Sequence, residues 1–210
     1  MPQLVSVAAV MLADDVVDGP DLGDVVGGAD HEVLHQALLQ KADACTLAFY
    51  MVSSHIPPCV TIAINATQKR KTLKDMLEQK AFVLSFPSAD QVKEVDYLGV
   101  ESGYNRDKLK DLELTTSEAR TVYAPIINEM LLSLECEVVH TVTVGSHMQV
   151  TGEVKNIVAD ESILNEDGKV VLEKLKPLIY DEEQLRYLGI GEPVADAFRT
   201  GMEVKRTITK

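Results

Sequence analysis

The sequence predicts a mainly β protein with helical additions, and three observations carry that reading. Short apolar runs rich in β-branched residues recur along the chain, each closed by Pro, Gly or a polar cluster. Helical segments lie between some of these runs, but without the regular strand–helix alternation of a doubly wound sheet. Residues 131–144 and 148–158 form the strongest hairpin pattern, two β-rich runs flanking Gly145-Ser146-His147.

Taken in order, residues 4–12 are apolar except for Ser6 and read as a buried strand, bounded by Asp14 and Asp15. Residues 18–30 hold the Gly, Pro and Asp of a loop. Residues 31–41 have helical spacing, with Val33, Leu34, Ala37 and Leu38 on one face and Asp30 as N-cap. Residues 46–53 and 59–65 are two strands separated by His55-Ile56-Pro57-Pro58, where prolines cannot donate to a ladder. Residues 71–80 form an amphipathic helix through Leu73, Met76 and Leu77, and 81–86 a strand closed by Pro87. A helix over 88–98 takes Ser88 as its cap and buries Val92 and Val95. Residues 104–112 are polar, a short helix or loop. After the hairpin come an acidic loop at 160–168, a short helix at 170–175 and a tail with small strands.

A length of 210 residues suits one domain, 1–210, with 1–42 set apart as an atypical N-terminal segment. The first forty residues contain no Lys or Arg, seven acidic residues and four of the twelve glycines. Apolar residues at 46% are enough to bury a core. Lys+Arg 20 against Asp+Glu 33 gives a net charge of -13, which argues against nucleic acid as a partner. An anionic cofactor then needs a local cluster of donors that overrides the global field. Cys45, Cys59 and Cys136 are odd in number and show no CxxC, against both a disulfide framework and a zinc ribbon. Cys59 and Cys136 read as core, whereas Cys45 beside Thr46 is the candidate for redox activity. No signal-peptide pattern and no apolar run of membrane-spanning length are present, so the expectation is a cytoplasmic protein with no membrane partner.

His31-Glu32-Val33-Leu34-His35 is an HExxH, which on a helix places two imidazoles on one face for zinc with Glu32 as general base. A zinc-dependent hydrolase is the alternative this motif raises. The apolar run that follows offers no third ligand at a suitable spacing, and a solvated helix face explains the same residues, so no metal is assigned. The chain has no GxxxxGK[ST], no GxGxxG after a strand and no GxSxG.

A distributed pattern is more informative. It runs from Asp43-x-x-Thr46 through Val52-Ser53-Ser54-x-x-Pro57-Pro58-Cys59-Val60 and Arg70-Lys71-Thr72 to Ala81-Phe82-Val83-Leu84. It continues with Tyr97-x-Gly99-x-x-Ser102-Gly103-x-x-x-Asp107-Lys108, Ala124-Pro125-Ile126-Ile127, Leu134-Glu135-Cys136 and Gly145-x-His147 before Gly152-Glu153-Val154. In order and spacing this resembles the flavoredoxin / flavin-reductase-like family over residues 43 to 200. The resemblance implies a split β-barrel that binds FMN, in a homodimer with the flavin site at the subunit interface. It also implies NAD(P)H as electron donor, and a role as flavin reductase or electron carrier, or alternatively as a non-catalytic flavin-binding module.

Such a cofactor needs hydroxyl and cationic donors for its phosphate and an apolar wall for its ring. Ser53, Ser54, Arg70, Thr72 and Lys108 can supply the donors and charge, and Thr46 can face the ring. By the resemblance, His147 lies near the flavin face and meets the nicotinamide. FMN is expected over FAD because no Rossmann loop exists to hold a second phosphate. One departure stands out: a long loop and a helix precede the threonine strand, and Asp43 stands where the family has Asn.

Overall fold

The computed structural model describes residues 4–6, 8–12 and 42–208. The expected loop at 18–30 and helix at 31–41, with the HExxH, lie outside the described residues. The chain starts with strands β1 (Leu4–Ser6) and β2 (Ala8–Leu12), then β3 (Asp43–Leu47), β4 (Phe49–His55) and β5 (Pro58–Asn65). Helix α1 (Lys71–Gln79), β6 (Ala81–Phe86), α2 (Val92–Val100) and the single turn α3 (Lys108–Asp111) follow. A small pair, β7 (Thr116–Glu118) and β8 (Pro125–Ile127), leads to the long hairpin β9 (Leu132–Val144) and β10 (His147–Ala159). The chain continues through α4 (Leu172–Leu175), β11 (Leu178–Asp181), β12 (Arg186–Gly189) and α5 (Thr200–Ile208).

The main sheet has seven antiparallel strands in the order β3-β2-β6-β9-β10-β5-β4. Its two edge strands, β3 and β4, are consecutive in the chain and separated only by Ala48. One residue spans only about 7 Å between its neighbours' Cα atoms. The two edges must therefore meet at Ala48, and the sheet rolls into a barrel with its seam there. This explains why the strand expected over 46–53 is not continuous: the chain changes edges in its middle. The single strand expected over 4–12 is likewise two, Leu4–Ser6 and Ala8–Leu12; β2 pairs with both β3 and β6, while β1 joins a separate sheet with β11 and β12.

Period-two alternation places Val60, Ile62 and Ile64 of β5, Phe82 and Leu84 of β6, Cys136 and Val150 inside the barrel, closed by Leu73 and Met76 of α1. The opposite face of β6 sends Val83 into a second cluster with Ala44, Leu98, Leu109, Ile126 and Ile127. β6 is thus buried on both faces, which is why its sequence is an unbroken apolar run apart from Ser85. Ser85 bonds Ser133 at 2.8 Å across the ladder. The helix expected at 88–98 opens as a 3₁₀ turn, Ala89–Gln91, with Ser88 and Gln91 forming a reciprocal capping box, and runs on to Val100.

The hairpin turn is tighter than the three residues read from sequence. His147 already pairs with Val144, leaving Gly145-Ser146 as a two-residue turn, with Gly145 at φ 59° where a side chain is disfavoured. Further along β10, an added Cβ on Gly152 would sit 2.6 Å from the Phe82 ring and 2.8 Å from Cys136 Cβ. Gly152→Ala is therefore expected to lower stability by about 1–3 kcal/mol through overpacking, as read from urea unfolding midpoints.

The carboxylate of Glu135, fully buried in β9, accepts from Thr121 N at 2.8 Å, from Thr121 Oγ1 at 2.5 Å and from Asn156 Nδ2 at 2.9 Å. Burial pushes this carboxyl up, but these bonds and the Arg120 and Thr121 backbone amides outweigh it and hold it below the usual range. A carboxyl lowered in the folded state contributes stability above its unfolded pKa and loses it as pH falls through the folded value. Urea unfolding should show wild type losing its advantage over Glu135→Gln as pH drops below about 4.

Candidate functional site

A groove of about 160 Å³ lies at the barrel seam, lined by Cys45, Thr46, Leu47, Ala48, Phe49, Ala63, Ile64, Asn65, Arg70, Gly99 and His147. These are ends of elements: the end of β3, the Ala48 corner and start of β4, the end of β5, the first residue of β10, the residue before α1 and the end of α2. Barrel closure therefore assembles the groove from segments up to a hundred residues apart. Three of the sequence-predicted site residues meet here, Thr46, Arg70 and His147.

Thr46 donates its hydroxyl hydrogen to Val95 O of α2, leaving the oxygen lone pairs as acceptors. The helix can approach this closely because Gly99 has no side chain; a Cβ there would lie 3.3 Å from Thr46 Cβ. Arg70 is half-buried and directs Nη2 to Gln68 Oε1 at 3.0 Å. A guanidinium carries five donors, so this contact orients the fork without exhausting it. Arg70 is also the N-cap of α1, and its own side chain makes no cap hydrogen bond. The N-terminal end of α1 thus lies beside the guanidinium, and both carry the positive character that suits an anion.

His147 is held from two sides. Its ring stands edge-on to Phe49, with centroids 5.5 Å apart and planes at 89°, and its Nδ1 lies 2.9 Å from Ser146 Oγ. Opposite it, Asn65 Oδ1 accepts from Thr67 N at 2.9 Å and Thr67 Oγ1 at 2.7 Å, and Ser146 O accepts from Ala66 N at 2.9 Å. These bonds fix the loop between β5 and α1 against the hairpin tip. Phe49 and Asn65 were not among the sequence candidates. The signal for them was the register of the hairpin over 46–65, which sets Phe49 opposite Ala63.

The other four candidates go elsewhere. Thr72 is buried and donates Oγ1–H to Asp43 Oδ2 at 2.9 Å. Lys108 is buried too, with Nζ 3.1 Å from Asp43 Oδ1, bonded to Ala44 O and 3.5 Å from Leu98 O. An ammonium has three donors, and these three contacts take them, so Lys108 anchors β3 instead of presenting charge at the groove. Ser53 is exposed on β4, and Ser54 lines a separate hollow with Val52, His55 and Cys59. Five residues of strand, roughly 17 Å, separate Ser54 from Phe49 at the groove. Within one copy the serines therefore stand apart from Arg70.

Cys45 reaches the groove wall from beside this buried cluster. Burial pushes its thiol up, with the Thr72 hydrogen bond and the Lys108 charge pulling only partly the other way. The expected redox candidate is thus a protonated, packed thiol. Among the described residues no group of three or more His, Cys, Asp or Glu is placed to hold a metal ion, and no helix is long and apolar enough to cross a membrane.

Residues 26–189 match the family model described as Flavin reductase like domain. The structure is similar to that of the flavoredoxin of Desulfovibrio vulgaris (Miyazaki F), at 25% identity and TM-score 0.78, over 94% of this chain and 93% of that one. It shares its fold with the FMN-binding protein from Thermus thermophilus with bound 1-cyclohex-2-enone, at 21% identity and TM-score 0.69, over 92% and 90% of the two chains. A relative from Archaeoglobus fulgidus, itself named only as uncharacterized, is 29% identical over 131 residues, 62% of this chain and 72% of that protein.

The buried pair can be tested by a double-mutant cycle. Lys108→Met, which strands the Asp43 carboxylate, should cost about 3–5 kcal/mol in urea unfolding. Adding Asp43→Asn should recover part of that loss. Purely additive effects would show that the two groups do not act as a pair.

Proposed function

The chain belongs to the flavin reductase like domain family, and we propose that it is an FMN-binding flavoprotein passing electrons from NAD(P)H, working as a homodimer. The observation that carries this reading is the meeting of Thr46, Arg70 and His147 at the barrel seam, with the N-terminal end of α1 beside Arg70. The donor set fits FMN. Arg70 and the α1 amides offer charge-assisted bonds to a phosphate, and Leu47, Phe49, Ala63 and Ile64 offer apolar wall. Thr46, Asn65 and His147 bring hydrogen-bonding groups for the polar parts. The groove volume, about 160 Å³, is below the roughly 300–1,000 Å³ of a complete small-molecule site. One copy therefore encloses only part of the cofactor, which supports a site completed by a second copy.

Bound flavin supplies the redox chemistry, with NAD(P)H as hydride donor. The protein's own part is to bind and orient. His147, fixed by Phe49 and Ser146, presents its imidazole at the groove rim, where it orients a dinucleotide by hydrogen bonding without moving a proton in the hydride step. Arg70 and α1 hold the anionic end of the cofactor.

Cofactor released by heating the purified protein should co-elute with FMN; recovery of FAD alone, or no uptake of FMN on saturation, would overturn the reading. Arg70→Ala should weaken FMN binding about 10- to 150-fold, the loss of a hydrogen bond to a charged group worth about 1.5–3 kcal/mol. His147→Ala should keep FMN but weaken NAD(P)H binding and slow flavin reduction in stopped flow. Unchanged reduction rates across dinucleotide concentrations would remove His147 from that role.

A further inference from the structure

Two polar side chains stand on the hairpin side of the groove, Asn65 at the end of β5 and His147 at the start of β10, and they face each other across the ladder. Each has an accepting atom taken by a neighbour in the chain. Asn65 Oδ1 receives Thr67 N at 2.9 Å and Thr67 Oγ1 at 2.7 Å. A backbone N–H can only donate, so the atom it meets is the amide oxygen. What Asn65 has left for a ligand is its amide nitrogen, with two hydrogens to give.

The imidazole is treated in the same way by Ser146, whose Oγ lies 2.9 Å from His147 Nδ1. A neutral imidazole carries one hydrogen on one of its two nitrogens, and the bond made at one nitrogen sets the state of the other. The ring nitrogen is more basic than a hydroxyl oxygen, so this contact is stronger with Ser146 donating and Nδ1 accepting. The ring hydrogen then resides on Nε2, for which no described residue supplies a partner. Ser146 is itself held in place. It follows Gly145, at φ 59°, in the two-residue turn, and its carbonyl accepts from Ala66 N at 2.9 Å. The edge-on Phe49 ring, at 89° to the imidazole, restrains the plane of the ring that Ser146 bonds.

We infer that Ser146, which does not itself line the groove, is a positioning residue: it fixes His147 as the Nε2–H tautomer and makes the hairpin side of the groove a donor wall that selects an acceptor oxygen of the ligand. The other side has the opposite polarity. Thr46 spends its hydroxyl hydrogen on Val95 O and offers lone pairs. A planar ligand with a carbonyl and an N–H is therefore accepted in one orientation, carbonyl toward Asn65 and His147, N–H toward Thr46. For a nicotinamide at the hairpin side, the atom recognised is the carboxamide oxygen and not its NH₂ group. The naming of that ligand rests on the NAD(P)H reading proposed above, whereas the tautomer is a property of the chain alone.

Long-range ¹H–¹⁵N correlation spectra of the full-length protein, labelled at histidine and held at about pH 8.5 where an ordinary imidazole is neutral, read the tautomer directly. The His147 ring is identified by the signals that His147→Ala removes. The expected pattern is a protonated Nε2 and a bare Nδ1 in wild type, a mixture of both tautomers in Ser146→Ala, and the wild-type pattern restored in Ser146→Thr, which keeps the hydroxyl. A wild type protonated at Nδ1, or a Ser146→Ala spectrum identical to wild type, overturns the inference. In stopped flow, Ser146→Ala should raise the half-saturating NAD(P)H concentration roughly 2- to 10-fold, the weakening of one neutral hydrogen bond, with the limiting reduction rate and FMN content unchanged. A fall in the limiting rate at unchanged half-saturation overturns the positioning role. A protein that takes up no FMN, or whose flavin NAD(P)H does not reduce, overturns the functional reading instead, and the spectra still decide the tautomer.

Discussion

The buried pair between Asp43 and Lys108 is the constraint on which the groove depends. Its carboxylate takes Thr72 on one oxygen and Lys108 on the other, and its ammonium also bonds the carbonyls of Ala44 and Leu98. These contacts tie the start of β3 to α1, α2 and α3, the helices that flank or support the groove. The loop between α2 and α3 presses on the same carboxylate, since a Cβ on Gly103 would fall 2.4 Å from Asp43 Oδ1. Energetically, such a pair roughly breaks even: a few kcal/mol of attraction at an effective dielectric near 20 opposes a desolvation cost of several kcal/mol per ion. What it provides is geometry. The arrangement that satisfies both charges also sets Cys45 and Thr46 at the seam.

This pair also gives the sequence pattern its physical meaning. Asp43-x-x-Thr46, Arg70-Lys71-Thr72 and the segment from Gly99 to Lys108 look like three unrelated motifs along the chain. In the fold they are three sides of one junction: Gly99 lies against Thr46, Gly103 and Lys108 against Asp43, and Thr72 against Asp43. The acidic residue at position 43, where the resemblance leads one to expect Asn, is the counter-charge for a fully buried ammonium. A pattern reading found these residues as a group. It assigned Thr72 and Lys108 to a phosphate because hydroxyls and cations are also what a phosphate requires, and residue type alone does not distinguish a ligand's partner from a buried one.

Local structure was legible where one period dominated. The β9–β10 hairpin, the α1 helix and β6 lie within a few residues of their sequence-derived bounds, because each has a single apolar face or is apolar throughout. The seam at Ala48 was not legible. Residues 46–53 alternate well enough to read as one strand, and only the closing of the sheet, a long-range property, requires the chain to leave one edge and join the other. The separation of Ser54 from Arg70 follows from the same event. In sequence both look like phosphate donors, yet β4 runs away from the seam and carries the serines with it.

The seam also decides how a chain of charge -13 can offer a site to an anion. At physiological ionic strength the field of distant carboxylates is screened beyond about 8–10 Å, so the groove's own groups set the local potential. Lys108, although near, is neutralised by Asp43 and contributes little net charge. Arg70 and the N-terminal end of α1 are therefore the positive end of the groove, while His147 and Phe49 stand at the hairpin side. A barrel closed with full pairing along its seam would cover these atoms. Because β3 and β4 meet only at a corner, the backbone there stays open on one side, and the elements that converge on it leave a shallow, polar-ended groove. The cofactor reading and the two-copy reading proposed above thus rest on one feature, the incomplete closure of the sheet at Ala48.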